Sequence, residues 1–188
     1  MEMPIPILFT PERLSDARGW FSETYKVRTA RRLGIEDYFV QDNQSLSLAS
    51  GTLRGFHFQA PPHPQCKLVR CVVGRIFDVA VDVRRGSPTW GRAVTHELSA
   101  KTGSQLYVPV GFAHAFLTLE PNCEVVYKVT DVYAPECDRG IRFDSVGIEW
   151  PIAQADMVLS DKDRSLPALA NLESPFLYDG NPLPERVG

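Results

Sequence analysis

Residues 67–83, KLVRCVVGRIFDVAVDV, decide the fold class. Two runs rich in β-branched residues, Leu68–Val73 and Ile76–Val83, alternate in polarity with a period of two, and Gly74-Arg75 between them is a turn signal. They read as antiparallel strands and as a hairpin candidate. In the second run Phe77, Val79, Val81 and Val83 share one face, while Asp78, Ala80 and Asp82 share the other, which Arg84 continues. Two readings fit that polar face: a half-exposed strand with surface carboxylates, or a barrel interior whose carboxylates pair with Arg70 or Arg84. In the first run Lys67, Val69, Cys71 and Val73 share a face, so a lysine stands at the end of an apolar row. It either reaches to solvent or has its ammonium held in a cavity as an electrophile.

Working outward, Ala93–Leu98, Gln105–Val108, Ala113–Leu119 and Glu124–Thr130 repeat the pattern between Gly, Pro, Asn and Asp punctuation. Short strands so spaced predict an antiparallel sandwich or barrel rather than βαβ units. Helix signals are few: Val27–Leu33, closed by Gly34, and a second that begins in Ser165–Leu172. No internal repeat or linker interrupts the chain, and its 15 prolines are spread along it. One all-β domain over residues 1–188 is expected, with a less regular stretch from about residue 165.

The 188 residues suffice for one sizeable core, and 44% hydrophobic with 23% charged residues is ordinary globular composition. A net charge of −3 gives no overall electrostatic reason to bind nucleic acid, while leaving room for a local basic patch that meets a phosphorylated small molecule. The amino-terminal MEMPIPILFTPERLSDARG lacks a basic segment followed by a long apolar run, and no stretch approaches about eighteen apolar residues. A soluble, cytoplasmic protein without membrane partners is the expectation. Cys66, Cys71, Cys123 and Cys137 form neither a CxxC pair nor a zinc-knuckle spacing, so free thiols are expected.

The chemistry concentrates around Gly51–Gln59, GTLRGFHFQ. Alternation points His57 and Gln59 the same way, where a metal-binding strand would want His-x-His. Glutamine is a poor ligand beside imidazole and carboxylate, which leaves the histidine free for acid/base work. The same alternation puts Arg54 and His57 on opposite faces, unless Gly51 or Gly55 permits a bulge. Farther on, Phe112, His114, Phe116 and Thr118 share a face, and Tyr127 aligns with Val125 and Val129. Taken alone, such a histidine and tyrosine are more often core residues than catalytic ones.

Eight blocks change those odds: DARGWFSE (16–23), QDNQSLS (41–47), GTLRGFHFQ (51–59), QCKLVRCVVG (65–74), FDVAVDVRRGSPTWG (77–91), YVPVGFAHAF (107–116), YKVTDVYAP (127–135) and LSDKD (159–163). In order and spacing they resemble the dTDP-4-dehydrorhamnose 3,5-epimerase family. The resemblance implies a double-stranded β-helix of the cupin type, a jelly-roll barrel acting as a homodimer with no metal and no organic cofactor. It implies His57 as general base, Asp163 as the carboxylate that orients it, Tyr127 as general acid on the opposite face of the sugar and Lys67 beside the 4-keto oxygen. Arg18, Glu23, Gln41, Asn43, Arg54, His114 and Lys162 match positions that hold the sugar and nucleotide diphosphate, and Tyr133 resembles the aromatic on which thymine stacks. Departures are Ala115 where the family often has Gly, Phe143 where it has Trp, Asp138 near a usual glutamate in the substrate-binding region, and a loop between Asn43 and Gly51 one residue longer than the commonest form.

The implied substrate, dTDP-4-keto-6-deoxy-D-glucose, has C3 and C5 hydrogens alpha to its C4 ketone, so a placed base and a stabilised enolate oxygen suffice. A histidine with an ordinary pKa near 6.5 suits the base, and a phenol with one near 10 can donate from the other face. Guanidinium groups such as Arg18 and Arg54 clamp diphosphate oxygens. Other readings are a related 3- or 5-monoepimerase, a metal-dependent cupin, against which HxQ speaks, and a non-catalytic sugar-nucleotide binding module.

Overall fold

In chain order the strands are β1 Ile7–Phe9, β2 Leu14–Asp16, β3 Gly19–Phe21, β4 Gln41–Ser47, β5 Leu53–Gln59, β6 Lys67–Val73, β7 Arg75–Asp82, β8 Ala93–Ser99, β9 Gln105–Val108, β10 Phe112–Thr118, β11 Cys123–Val129 and β12 Asp138–Gly140. Helices α1 (Val27–Arg32) and α2 (Asp161–Arg164) are short. The structure, a computed structural model, describes residues 5–178 and 180. The first four residues of the amino-terminal segment and the end of the domain span assigned to residue 188 lie outside the described residues. Two five-stranded sheets run β1-β9-β6-β11-β4 and β12-β5-β10-β7-β8, and β2 with β3 makes a separate ribbon. Strand pairing within them is antiparallel. The all-β class and the strand positions read from alternation agree with this arrangement.

The hairpin expected at Gly74-Arg75 does not form. β6 pairs with β9 and β11 in the first sheet, whereas β7 pairs with β8 and β10 in the second, so Gly74 is a corner between sheets. The corner needs glycine: φ is +79°, and a Cβ there would lie 2.6 Å from Cys123 Sγ.

Val69, Cys71, Ile76, Ala80, Leu98, Leu106, Val108, Phe112, Phe116, Cys123 and Val125 form the core between the sheets. A second core covers the outer face of the second sheet, where Val79, Val81, Val83, Ala113, Ala115 and Leu117 meet Ile141, Phe143, Val146, Met157, Leu169 and Phe176 from the carboxyl-terminal part. Both faces of β7 are therefore buried, and the half-exposed reading of its acidic face is corrected: Asp78 and Asp82 are inaccessible. Asp82 pairs with Arg84 at 2.8 Å, as the interior reading expects, but Asp78 pairs with His114 rather than with an arginine.

The amino-terminal helix ends at Leu33 with Gly34 at φ +85°, as read. The later helix is displaced by one turn. Ser160 Oγ caps α2 by accepting from Asp163 N at 3.1 Å, Ser165 closes it, and Pro167 leaves only a 3-10 turn over Leu169–Asn171. All four cysteines are buried free thiols.

Candidate active site

The site begins with a miscount in β5. His114 on β10 stands opposite His57, yet two residues on, Phe116 stands opposite Arg54, three residues back along β5. One extra residue is thus accommodated on β5, a β-bulge. Gly55 makes it possible: its φ is +119°, and a Cβ would lie 2.5 Å from His114 O and 2.8 Å from Ala115. Across the bulge Leu53, Phe56 and Phe58 all enter the outer core, while Arg54 and His57 line one cleft. Of the two alternatives open to this strand, simple alternation fails and the glycine bulge, at Gly55, is the one that forms.

The cleft has two lobes, of about 460 Å³ and about 340 Å³, which share His57, Lys67 and Tyr127. At the junction His57 Nε2 lies 2.6 Å from Asp163 Oδ1. Asp163 is buried, which raises a carboxyl pKa, but hydrogen bonds from His57, Ser160 and the Gly55 backbone outweigh burial and hold it below its ordinary value. An ionised Asp163 only accepts, so Nε2 carries the proton and the Nδ1 lone pair is left free to accept one.

Lys67, at the start of β6, donates from Nζ to His57 O at 3.1 Å. Burial pushes its ammonium down to about 8, against the opposing pull of Asp138 and Asp78. The cavity reading of this lysine is the one observed. Tyr127 comes from β11, and burial raises its phenol above the ordinary value while Arg54 works against the shift. His114 Nε2 lies 3.0 Å from Asp78 Oδ2 and lines the same lobe. Arg54 donates from Nε to Ser47 Oγ at 3.1 Å and from a terminal nitrogen to Leu46 O at 3.1 Å.

In the smaller lobe Gln41 donates to Asn43 Oδ1 at 2.8 Å, and Tyr133 N donates to Gln41 Oε1 at 3.3 Å. Asp138 accepts from Tyr133 Oη at 3.1 Å and from the Lys162 ammonium, a hydrogen bond that raises the Lys162 pKa. Two of the residues assigned to substrate stand elsewhere. Arg18, in the β2–β3 turn, is 90% exposed and pairs with Asp16, and Glu23 pairs with Lys26 at 2.9 Å beside a groove under that ribbon.

Sequence reasoning missed the Asp78 partner of His114 and the Ser47 support of Arg54; alternation shows a polar inner face but not which polar groups meet across strands. Gln59 spends its amide on neighbouring main chain, and among the described residues no group of three or more His, Cys, Asp or Glu gathers to hold a metal. A lone-pair base, a cation and a phenol around one cavity can remove a proton alpha to a carbonyl, hold the enolate and return a proton.

A family model described as dTDP-4-dehydrorhamnose 3,5-epimerase matches residues 1–171. The dTDP-4-dehydrorhamnose 3,5-epimerase of Sinorhizobium fredii is 49% identical over 173 residues, covering 91% of this chain and 88% of that protein. The Bacillus anthracis dTDP-4-dehydrorhamnose 3,5-epimerase, solved with TDP and PPi bound, is 43% identical with a TM-score of 0.83, over 86% of this chain and 93% of that one. The 3,5-epimerase of Legionella pneumophila, solved in complex with dTDP-4-keto-L-rhamnose, is 38% identical with a TM-score of 0.86, over 94% of both chains. Bulge, dyad and two-sheet barrel thus stand in a chain that matches these proteins nearly end to end, and it belongs to the dTDP-4-dehydrorhamnose 3,5-epimerase family of isomerases.

Proposed function

We propose that His57, Lys67 and Tyr127 carry out the 3,5-epimerisation of dTDP-4-dehydro-6-deoxy-D-glucose to dTDP-4-dehydro-L-rhamnose, the reaction of dTDP-L-rhamnose biosynthesis that family membership assigns to the chain. The observation that carries it is the 2.6 Å His57–Asp163 contact, which leaves Nδ1 as base in the cavity that also holds the Lys67 and Tyr127 side chains. His57 Nδ1 removes the proton at C5 or C3, and the electron pair moves onto the C4 oxygen as an enolate. Lys67 stabilises that charge. Tyr127 returns a proton to the opposite face, which inverts the carbon, and solvent restores both groups to their starting states. His114, backed by Asp78, hydrogen-bonds the sugar from the same lobe.

Arg54 meets the diphosphate, while Gln41, Asn43, Tyr133, Asp138 and Lys162 frame the nucleotide end, where the Tyr133 ring stacks on thymine. Arg18 and Glu23 reach substrate from a second copy: the ribbon that carries Arg18 and leads into Glu23 exposes Leu14, Trp20 and Phe21 at 57–64%, an apolar surface that a homodimer would cover. The chain works as one domain, in the cytoplasm, and uses no metal or organic cofactor. Among the described residues no helix is long and apolar enough to cross a membrane.

Incubation with dTDP-4-keto-6-deoxy-D-glucose in deuterated water tests the reading. Deuterium at both C3 and C5 of an L-rhamno product is expected. Label and inversion at one carbon alone would make the chain a monoepimerase instead.

A further inference from the structure

Gln59 ends β5 two residues beyond His57 and is buried at 4% exposure. A primary amide has two N–H donors and a carbonyl acceptor, and a buried one must spend them. Here all go to main chain: Nε2 donates to His63 O at 2.7 Å and to Val132 O at 3.1 Å, and Oε1 accepts from Ala134 N at 2.8 Å. The last two bonds bracket one residue, Tyr133, by the carbonyl before it and the N–H after it. Tyr133 itself is 57% exposed, so packing does not set its place. Its hydroxyl reaches Asp138, which is the strand partner of Gln59. The same loop is tied to the 60–66 connection by His63 Nδ1 against Asp131 Oδ2 at 3.0 Å and by Gln65 Nε2 donating to Asp131 O at 2.7 Å.

We propose that Gln59 is a positioning residue, whose amide clamps the backbone on both sides of Tyr133 and so presents the exposed phenol ring to the base of the nucleotide. The proposal rests on the reading above that Tyr133 stacks on thymine. Glutamine is required because two carbonyls need donors and one N–H needs an acceptor. Glutamate keeps the length but sets charge against His63 O and Val132 O. Methionine keeps the volume and makes none of the three bonds.

The test is a double-mutant cycle on Gln59→Met and Tyr133→Ala, with the Kd for dTDP measured by calorimetry and kcat and KM measured in turnover. Gln59→Met should raise Kd and KM by about tenfold, the scale of coupling within one hydrogen-bond network, while kcat stays within about threefold. The double variant should bind no more weakly than Tyr133→Ala alone. Additive losses, or a wild-type Kd for Gln59→Met beside a weakened Tyr133→Ala, overturn the positioning role. An unchanged Kd for Tyr133→Ala overturns the stacking reading, and the proposal with it. Gln59→Asn, which keeps donors and acceptor on a shorter arm, covers the case in which Gln59→Met does not fold. It should raise KM alone, and a parallel fall in kcat would count against the proposal.

Discussion

At the scale of single residues, the proton on His57 Nε2 faces Asp163, and that contact decides which nitrogen keeps its lone pair for the proposed proton abstraction. His57→Ala should therefore lose about a hundredfold or more in solvent exchange at both C3 and C5, the ordinary contribution of a placed general base. Exchange at C5 near the wild-type rate would mean another base. Tyr127→Phe and Lys67→Met should separate two events. Without the phenol, proton removal persists while inversion fails or slows, read by deuterium uptake beside product stereochemistry. Without the ammonium, proton removal itself slows, since losing one preorganised donor to a developing oxyanion costs about 3 kcal/mol, roughly a hundredfold. The pH profile carries the same assignment. With the Lys67 pKa pushed down to about 8 by burial, the charged form proposed to hold the enolate is present below that pH and lost above it. The kcat/KM profile should fall as pH rises through about 8, and Lys67→Met should abolish that limb.

At the scale of elements, the bulge in β5 converts a strand that alternates into one that points Arg54 and His57 the same way. Gly55→Ala tests it. The added Cβ would meet His114 O at 2.5 Å on a backbone at φ +119°, and the backbone conformation alone costs about 1–3 kcal/mol. A lower thermal midpoint together with lost exchange activity is expected. Retention of both would show that the register does not depend on this glycine. The glycine signal was visible in LRGFHFQ, but the direction of the bend was not, because it depends on where β10 presents His114 and Phe116. Gly74-Arg75, a hairpin candidate in the sequence, is a corner between sheets for a related reason. A turn signal says that the chain reverses, and the strands' other partners decide whether the two arms pair.

At the scale of the whole molecule, the carboxyl-terminal part is irregular in structure yet closes the outer core. Arg85 N donates to Phe176 O at 2.8 Å, Tyr178 N to Arg85 O at 3.0 Å, and Ser174 Oγ to Val83 O. Beneath this strap Asp82 and Arg84 are both fully buried, with Ser87 and Thr89 hydroxyls on the same carboxylate and the Phe112 ring 4.6 Å from the guanidinium. Asp82→Ala removes one partner of a buried pair and should cost about 3–5 kcal/mol. The thermal midpoint should fall by roughly 6–20 °C, at 2–4 °C per kcal/mol for this chain length. Exchange activity per folded molecule should hold, because neither residue lines the cleft. Exhaustive chelation should also leave turnover intact. Loss of activity restored by a stoichiometric divalent metal would reject the metal-free reading.

From residue order alone came the all-β class, strand positions from Lys67 to Val129, the placing of Tyr127 between Val125 and Val129, and, through eight spaced blocks, the family, together with the four residues His57, Asp163, Tyr127 and Lys67 proposed for its chemistry. Those are properties of local alternation and of motif chemistry, which a linear text records directly. Folding supplied the rest: the corner at Gly74, the burial of both faces of β7, the Asp78–His114 pair, the three bonds of Gln59, and the standing of Arg18 and Glu23 away from their own cleft. Each of these depends on which strand lies beside or across from another. Alternation fixes the side on which a residue points, and only sheet order and register determine what it meets there.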